Sequence, residues 1–254
     1  MKQMDRLSAL LSRFHIGVTV APQGGGNMLI IGQAGSAIPT RIELQAEPYT
    51  FTGATGEIAL LELRADWGGQ ANPLLRALRK QVALTISKDT ETQALVRVVL
   101  AEAQAQRCGV DTVLSRLGEV IFVRLIRAEI DRGIAKVGLL AGLADTRINK
   151  ALVALHEQPG RSWRNDELAE LAGLSLSRFA DVFHARLGQT PQSYLRFWRM
   201  TLAHQDIQRG DRIKSVSHRY GYASSEALAR AFQRQFGKPP LAAREEVQFA
   251  QLTR

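Results

Sequence analysis

The chain reads as α+β: a small antiparallel β region with helices, followed by an all-α domain. Three observations support this. Residues 16–63 hold short apolar runs broken by Gly and Pro, from Thr90 onward the apolar spacing turns helical, and between Asp166 and Arg244 one helical pattern is written twice.

In chain order, Asp5–Phe14 reads as a short amphipathic helix. Ile16–Val20, Met28–Ile31, Arg41–Leu44, Ile58–Leu63 and Val82–Ile86 read as strands, with turns at Gly24-Gly25-Gly26 and Gly53–Gly56. Asn72-Pro73 resembles a helix start, with Leu74, Leu75 and Leu78 behind it. A helix over Glu91–Arg107 puts Leu95, Val99 and Ala103 on one face and ends at Gly109. The next takes Asp111 as N-cap and carries Val113, Leu117, Val120, Ile121, Leu125 and Ile126. That stripe is wide enough to face a core or a partner helix. Gly138–Asp145 reads as a linker, giving domains at 1–145 and 146–248.

The second domain reads as about seven helices. Thr146–Glu157 stops at Pro159-Gly160, and Asn165 caps Asp166–Ala172. Leu176–Leu187 follows. A long helix from Thr190-Pro191 to about Gly210 turns Tyr194, Leu195, Trp198 and Leu202 inward. Arg212–Tyr220 and Ser224–Phe236 complete the domain.

The repeat concerns four of these helices, two in each copy. Phe183, Gly188 and Pro191 recur as Phe232, Gly237 and Pro240, each displaced by 49 residues. Each copy is a short helix, a Gly turn and a second helix ended by Gly, the layout of a helix-turn-helix. In the first copy Phe179, Val182, Phe183 and Leu187 share a face that packs on Leu168 and Leu171. Ser177, Ala180, Asp181 and His184 then face outward. In the second copy Leu228, Phe232 and Phe236 turn inward, leaving Glu226, Ala229, Arg230 and Gln233 outward. Such positions can reach base edges: Arg230 suits guanine and Gln233 adenine. The candidate base-contacting set is Ser177, Arg178, Asp181, His184, Ser225, Glu226, Arg230 and Gln233. Arg196, Lys214, Arg234 and Lys238 are candidates for phosphates. The competing reading makes all of these ordinary solvated positions on amphipathic helices.

Charge favours the nucleic-acid reading. The net charge is +9 over 254 residues. Residues 1–145 carry 16 Lys and Arg against 14 Asp and Glu, whereas residues 146–254 carry 17 against 10. The positive excess therefore sits with the repeat, where it attracts polyanions.

Residues 149–244 resemble the DNA-binding domain of the AraC/XylS family of bacterial transcription regulators. The matching residues are Tyr194-Leu195-Arg196-Phe197-Trp198-Arg199-Met200 with Ala203, then Gly221-Tyr222, Arg230-Ala231-Phe232, Gly237-Lys238-Pro239-Pro240 and Arg244. Leu228, Pro239 and Ala243 depart from the family pattern, and all three are packing changes. The resemblance implies a sequence-specific regulator that places two recognition helices in successive major grooves, one helical turn apart. It implies double-stranded DNA as partner, with RNA polymerase as a further candidate.

Leu60–Leu78, with Gly142–Asp145, resembles a cupin-bearing subset of the same family. In many relatives a small cupin barrel with helices binds an effector and dimerises. About sixty residues precede Trp67, which is short for a closed barrel, so a trimmed sheet is expected. The usual acidic Gly-Asp turn of cupins is not visible. Candidate effector-binding residues are Phe51 and Trp67 as aromatic walls, with Arg41, Glu43 and Arg64 as polar anchors. A homodimer is expected.

Other chemistries are not written here. His15 is the one histidine of the first domain, so no metal-ligand set converges there and no metal or cofactor is expected. No phosphate-binding Gly loop follows a strand, and no nucleophile stands out, so an enzyme is not expected. A single cysteine, Cys108 beside Arg107, suits a reducing cytoplasm, and no apolar run is long enough to span a membrane. A bacterial cytoplasmic, nucleoid-associated location is therefore expected. Two other readings compete with this one: an effector-independent DNA binder whose first domain only dimerises, and a cupin enzyme fused to a DNA-binding domain.

Overall fold

The computed structural model describes residues 5–12, 16–36, 38–66, 81–105, 107–133 and 136–244. These fall into two compact units. A sheet unit holds the described residues from 16 to 133; a helical unit holds 5–12 and 136–244.

The sheet unit is a five-stranded antiparallel sheet of β1 (Gly17–Val20), β2 (Met28–Gln33), β3 (Pro39–Gln45), β4 (Glu57–Asp66) and β5 (Gln81–Thr85), ordered β1-β4-β2-β3-β5. All five runs expected from the sequence are strands, each shifted or extended by a residue or more at its ends. Residues directly opposite across strands share a face. Val18, Leu63, Met28, Ile30, Ile42, Leu44 and Val82 thus form one buried apolar face. Gly32 lies at a register shift. A Cβ there would stand 2.6 Å from Leu60 Cδ1 and 2.7 Å from the Ile38 carbonyl, so only glycine fits. Before β2, buried Asn27 extends the ladder: its Nδ2 donates to the Ala65 carbonyl (3.0 Å) and its Oδ1 accepts from Ala65 N–H (2.7 Å).

Two helices among the described residues belong to this unit, α2 (Thr90–Ala105) and α3 (Val110–Arg132). Asp89 caps α2 by accepting from Thr92 N–H (2.9 Å). Arg124 of α3 donates to Thr92 Oγ1 (2.8 Å), tying the two helices together. The apolar face of α3 is Leu114, Ile121, Phe122, Leu125, Ile126 and Ile130. A Cβ on Gly118 would lie 2.4 Å from Val18 Cγ1, so the glycine lets α3 settle onto β1. One expectation fails here. Asp111 is not the N-cap: Gly109, in the left-handed conformation, occupies that place and Asp111 falls within the first turn. Of the expected stripe, Val113 and Val120 are 40% and 46% exposed and Leu117 is half-buried. The buried face is rotated toward Leu114 and Phe122.

The helical unit contains α1 (Arg6–Leu11), α4 (Leu139–Ala144), α5 (Asn149–Glu157), α6 (Asn165–Ala172), α7 (Leu176–Leu187), α8 (Pro191–Gln208), α9 (Ile213–Arg219) and α10 (Ser225–Phe236). Helix α1 packs on α5, with Leu7, Ala9 and Leu10 buried, and Arg6 donates to the Leu143 carbonyl (2.9 Å). The segment read as a linker, Gly138–Asp145, is a buried helix. Leu139, Leu140, Ala141, Gly142 and Leu143 have almost no exposure, and a Cβ on Gly142 would meet Leu187 at 2.6 Å. Six residues are too few to show helical periodicity, and their burial depends on α7, over forty residues away. Asn165 is the first helical residue rather than the cap of α6. Arg164 holds the cap position, and its N–H donates to Glu167 Oε2 (2.8 Å).

Candidate nucleic-acid interface

Each half of the repeat starts its second helix in the same way. Ser175 accepts from Arg178 N–H (3.4 Å) ahead of α7, and Ser224 accepts from Ala227 N–H (3.2 Å) ahead of α10. The two serines are again 49 residues apart. Side-chain oxygens here satisfy amides that the helix itself leaves open. Both helices end on glycines with positive φ, Gly188 (72°) and Gly237 (71°).

The inward faces are those expected. Phe179, Val182, Phe183 and Leu187 of α7 are buried, as are Leu228 and Phe232 of α10. Leu168 is fully buried, but Leu171 is 41% exposed and does not share that core. Phe236 is half-buried, against the His204 ring at 4.8 Å.

Of the candidate base readers, Ser177, Arg178, Asp181 and His184 are exposed on α7, and Glu226, Arg230 and Gln233 on α10. Ser225 and Ala229 are half-buried. Gln233 is already engaged: its Nε2 donates to the Gly237 carbonyl (2.8 Å). A hydrogen bond from Ser224, then its own backbone, then the nearby Arg230 charge hold the Glu226 carboxyl below its ordinary pKa. Arg230 therefore stands one helical turn from an acid on its own helix. Among the candidate phosphate contacts, Arg196, Lys214 and Arg234 are exposed and Lys238 is half-buried. Arg196 and Arg234 lie within electrostatic reach of the same ring, Tyr222, so α8 and α10 bring them together.

Two buried carboxylates hold the recognition helices, and the sequence did not single out either one. Asp145 accepts from Arg147 Nη2 (2.5 Å) and from Arg186 Nε of α7 (2.8 Å). Asp206 of α8 accepts from Arg209, from Arg219 of α9 and from the Tyr220 hydroxyl (2.6 Å). Arg219 also reaches Asp211 (2.6 Å). Arg244, named in the family pattern, donates to the carbonyls of Ile207 (3.3 Å) and Asp211 (2.5 Å), closing the end of α8. Arg186 and Arg219 lie 41 and 13 residues from the acids they meet, and no local spacing in the chain marks these two pairs.

Of the candidate effector residues, Arg41, Glu43 and Phe51 lie together on the sheet. Arg41 is paired with Glu43 (2.7 Å) and with Glu57, and lies 5.9 Å from the Phe51 ring. Glu43 is 5% exposed and accepts from the Tyr49 hydroxyl (3.0 Å). These charges on one sheet face satisfy each other. Arg64 is exposed and donates to the Gly25 carbonyl (2.9 Å). Trp67, Asn72-Pro73 and His15 lie outside the described residues. A cavity of about 270 Å³ does exist in this unit, lined by Leu60, Arg97, Leu100, Ala101 and Gln104. Among the described residues no three His, Cys, Asp or Glu side chains group to hold a metal ion, and no helix is long and apolar enough to cross a membrane.

Comparison with known proteins agrees with this architecture. A family model described as a helix-turn-helix domain matches residues 168–246, and one described as a cupin matches residues 32–131. A putative AraC-like transcription regulator of Streptomyces lividans is 39% identical over 130 residues, covering 50% of this chain and 43% of that protein. The HTH-type transcriptional regulator AlkR of Acinetobacter baylyi is 29% identical over 174 residues, 66% of this chain and 57% of that protein. The chain thus spans about half the length of these relatives. Among solved structures, the DNA-binding domain of AdpA in complex with a target DNA covers 41% of this chain and 95% of its own at 25% identity, with a TM-score of 0.39. The chain thus carries the two domains its sequence led one to expect, a cupin domain followed by a helix-turn-helix domain, and the relatives it matches include AraC-like transcription regulators.

The Asp145 anchor predicts a pH dependence. Hydrogen bonding to Arg147 and Arg186 holds its carboxyl far below the ordinary value of 3.8. A carboxylate with a lowered folded pKa stabilises the fold fully above its unfolded value and loses that contribution as pH falls beneath it. Thermal melting of the helical unit should therefore hold steady above about pH 5 and drop progressively as the pH falls below it, and the drop should be smaller in Asp145→Asn. An equal drop in both proteins would show that the anchor carries no linked stability.

Proposed function

We propose that this chain is a transcription regulator, not an enzyme, that binds double-stranded DNA by placing α7 and α10 in successive major grooves. The observation that supports this most is the pair of matched recognition helices, each begun by a serine cap and each presenting polar side chains outward at one common offset. The positive excess of residues 146–254 supplies the phosphate attraction. Arg230 is assigned to guanine, and Arg196, Lys214, Arg234 and Lys238 to phosphates. Gln233 can read adenine only after leaving the Gly237 carbonyl. The cytoplasmic location expected from the sequence belongs to the same reading.

The sheet unit is assigned dimerisation and effector control. Val113, Leu117 and Val120 recur at helical spacing on α3, with two of the three exposed, which suits a second copy of the chain better than water. The cavity at Leu60, Arg97, Leu100, Ala101 and Gln104, apolar with a cationic rim, replaces the Arg41–Glu43 cluster as the effector site. The charges of that cluster are already neutralised by each other.

Four outcomes are expected. Affinity for a selected operator falls by roughly 0.9 in log K per unit of log salt for each phosphate contacted. On that operator Arg230→Ala loses about 1–3 kcal/mol and relaxes preference at one base pair, whereas Lys214→Ala weakens all sequences alike. Filter binding across salt and sequence checks both, and a flat salt response would sink the DNA reading. Val120→Arg should convert a micromolar dimer into a folded monomer, as read by light scattering; a native protein already monomeric at that concentration rejects the dimer. Finally, a thermal-shift screen of small apolar acids should raise the melting temperature of the native protein and not that of Arg97→Ala. Hits that persist in the variant place the effector elsewhere.

A further inference from the structure

Within the helical unit, the loop Pro159–Arg161 precedes α6 and belongs to the first helix-turn-helix, while the turn Arg219–Tyr222 joins α9 to α10 in the second. The two touch, backbone to backbone. A Cβ on Gly160 would lie 2.2 Å from the Arg219 carbonyl oxygen, and one on Gly221 would lie 2.4 Å from the Gly160 carbonyl oxygen. The connecting helix fastens this contact. Arg199 of α8 donates through Nε to the Pro159 carbonyl (2.6 Å) and through Nη2 to the Arg161 carbonyl (2.9 Å). An added Cβ at Gly221 would also stand 3.5 Å from Arg199 Nη2.

Both contacting segments are held from behind. Trp163 Nε1 donates to the Gln158 carbonyl (3.0 Å), and the Arg161 guanidinium lies 3.9 Å over the Trp163 ring while pairing with Glu167 (2.6 Å). On the other side Arg219 is bound to Asp206 and Asp211. Tyr222 N–H donates to the Ser217 carbonyl (2.9 Å). Neither segment can yield without breaking several bonds. Among the described helices α8 packs on both lobes, on α7 in the first and on α9 and α10 in the second, and it is followed by the positive-φ Gly210 (98°).

We propose that the Gly160–Gly221 contact, clamped by Arg199, is a spacer that sets the distance and rotation between the two recognition helices. Half-site spacing preference is then a property of this contact and not of any base-reading residue. The inference rests on the two-helix reading of DNA given above. Successive base pairs differ by about 3.4 Å of rise, so a rigid pair of helices fits one spacing and resists its neighbours. Gly160 does not have a positive φ, so alanine there adds no backbone strain and only wedges the lobes apart.

The test uses the full chain and a randomised duplex library. The wild type should enrich two half-sites at a single spacing. Gly160→Ala should enrich the same two half-site sequences at a shifted or broadened spacing. On the wild-type operator it should bind more weakly by roughly tenfold, because linked binding depends on geometric match. On an isolated half-site it should match the wild type. Arg199→Gln adds no bulk and should also broaden the spacing, which keeps the test decisive if the alanine variant fails to fold. Unchanged spacing in a folded variant, or equal loss on the operator and on isolated half-sites, overturns the spacer. A wild-type selection that returns one half-site overturns the two-helix reading, and the spacer with it.

Discussion

Helix α8 has to serve as core for both halves of the repeat at once, and the rest of the helical unit follows from that constraint. Twelve of its residues are buried, from Pro191 to Ile207, so it has no broad solvent face. Its first half gives Tyr194, Leu195 and Trp198 to the first lobe, where His156 meets Tyr194 (2.6 Å) and stacks near Trp198. Its second half gives Ala203, His204 and Ile207 to the other lobe, with His204 stacked on Phe232. An apolar surface all the way round would leave nothing to fix rotation about the helix axis. Asp206, buried and polar, provides that directionality: it accepts from Arg219 of α9 and from the Tyr220 hydroxyl, both beyond the end of α8. A buried carboxylate is costly unless its oxygens are satisfied, so Arg219 and Tyr220 are held in place as firmly as the aspartate itself.

The sheet unit solves a different problem. One face is apolar and meets α3 closely enough that Gly118 and Val18 touch. The other mixes Leu29 and Ile31, both buried, with Arg41 and Glu43 on neighbouring strands. Such a face cannot be covered by hydrocarbon alone. The chain covers it in part with its own polar groups: Glu57 returns to Arg41, and Tyr49 reaches Glu43. Residues that look from sequence like anchors for a ligand are therefore spent on each other.

What could be read in the sequence was what repeats locally. The strands show as apolar runs between glycines, and α7 and α10 show as amphipathic copies at one offset, because periodicity and capping need only neighbouring residues. What could not be read depends on distant partners. Leu139–Ala144 looks like a linker until Leu187 arrives to bury Gly142. Val113 and Val120 suit a core or a partner helix equally until α3 is docked through Leu114 and Gly118 and leaves them exposed. Asp145 and Asp206 look like any surface acids until Arg186 and Arg219 meet them. Pro159-Gly160 reads correctly as a helix stop, but its closeness to Gly221, 61 residues on, has no local signature.

The two recognition helices share their scaffold but not their outward chemistry. Where α7 carries Asp181 and His184, α10 carries Arg230 and Gln233 at the same offset. On the proposed reading, one bound chain has a head and a tail. Its target then cannot be a symmetric word within a single chain's footprint. It has a polarity along the duplex, and inverting it leaves each helix facing the other's bases. A regulator of this kind is a vector on DNA, pointing one flank of itself toward the neighbouring gene and the other away from it.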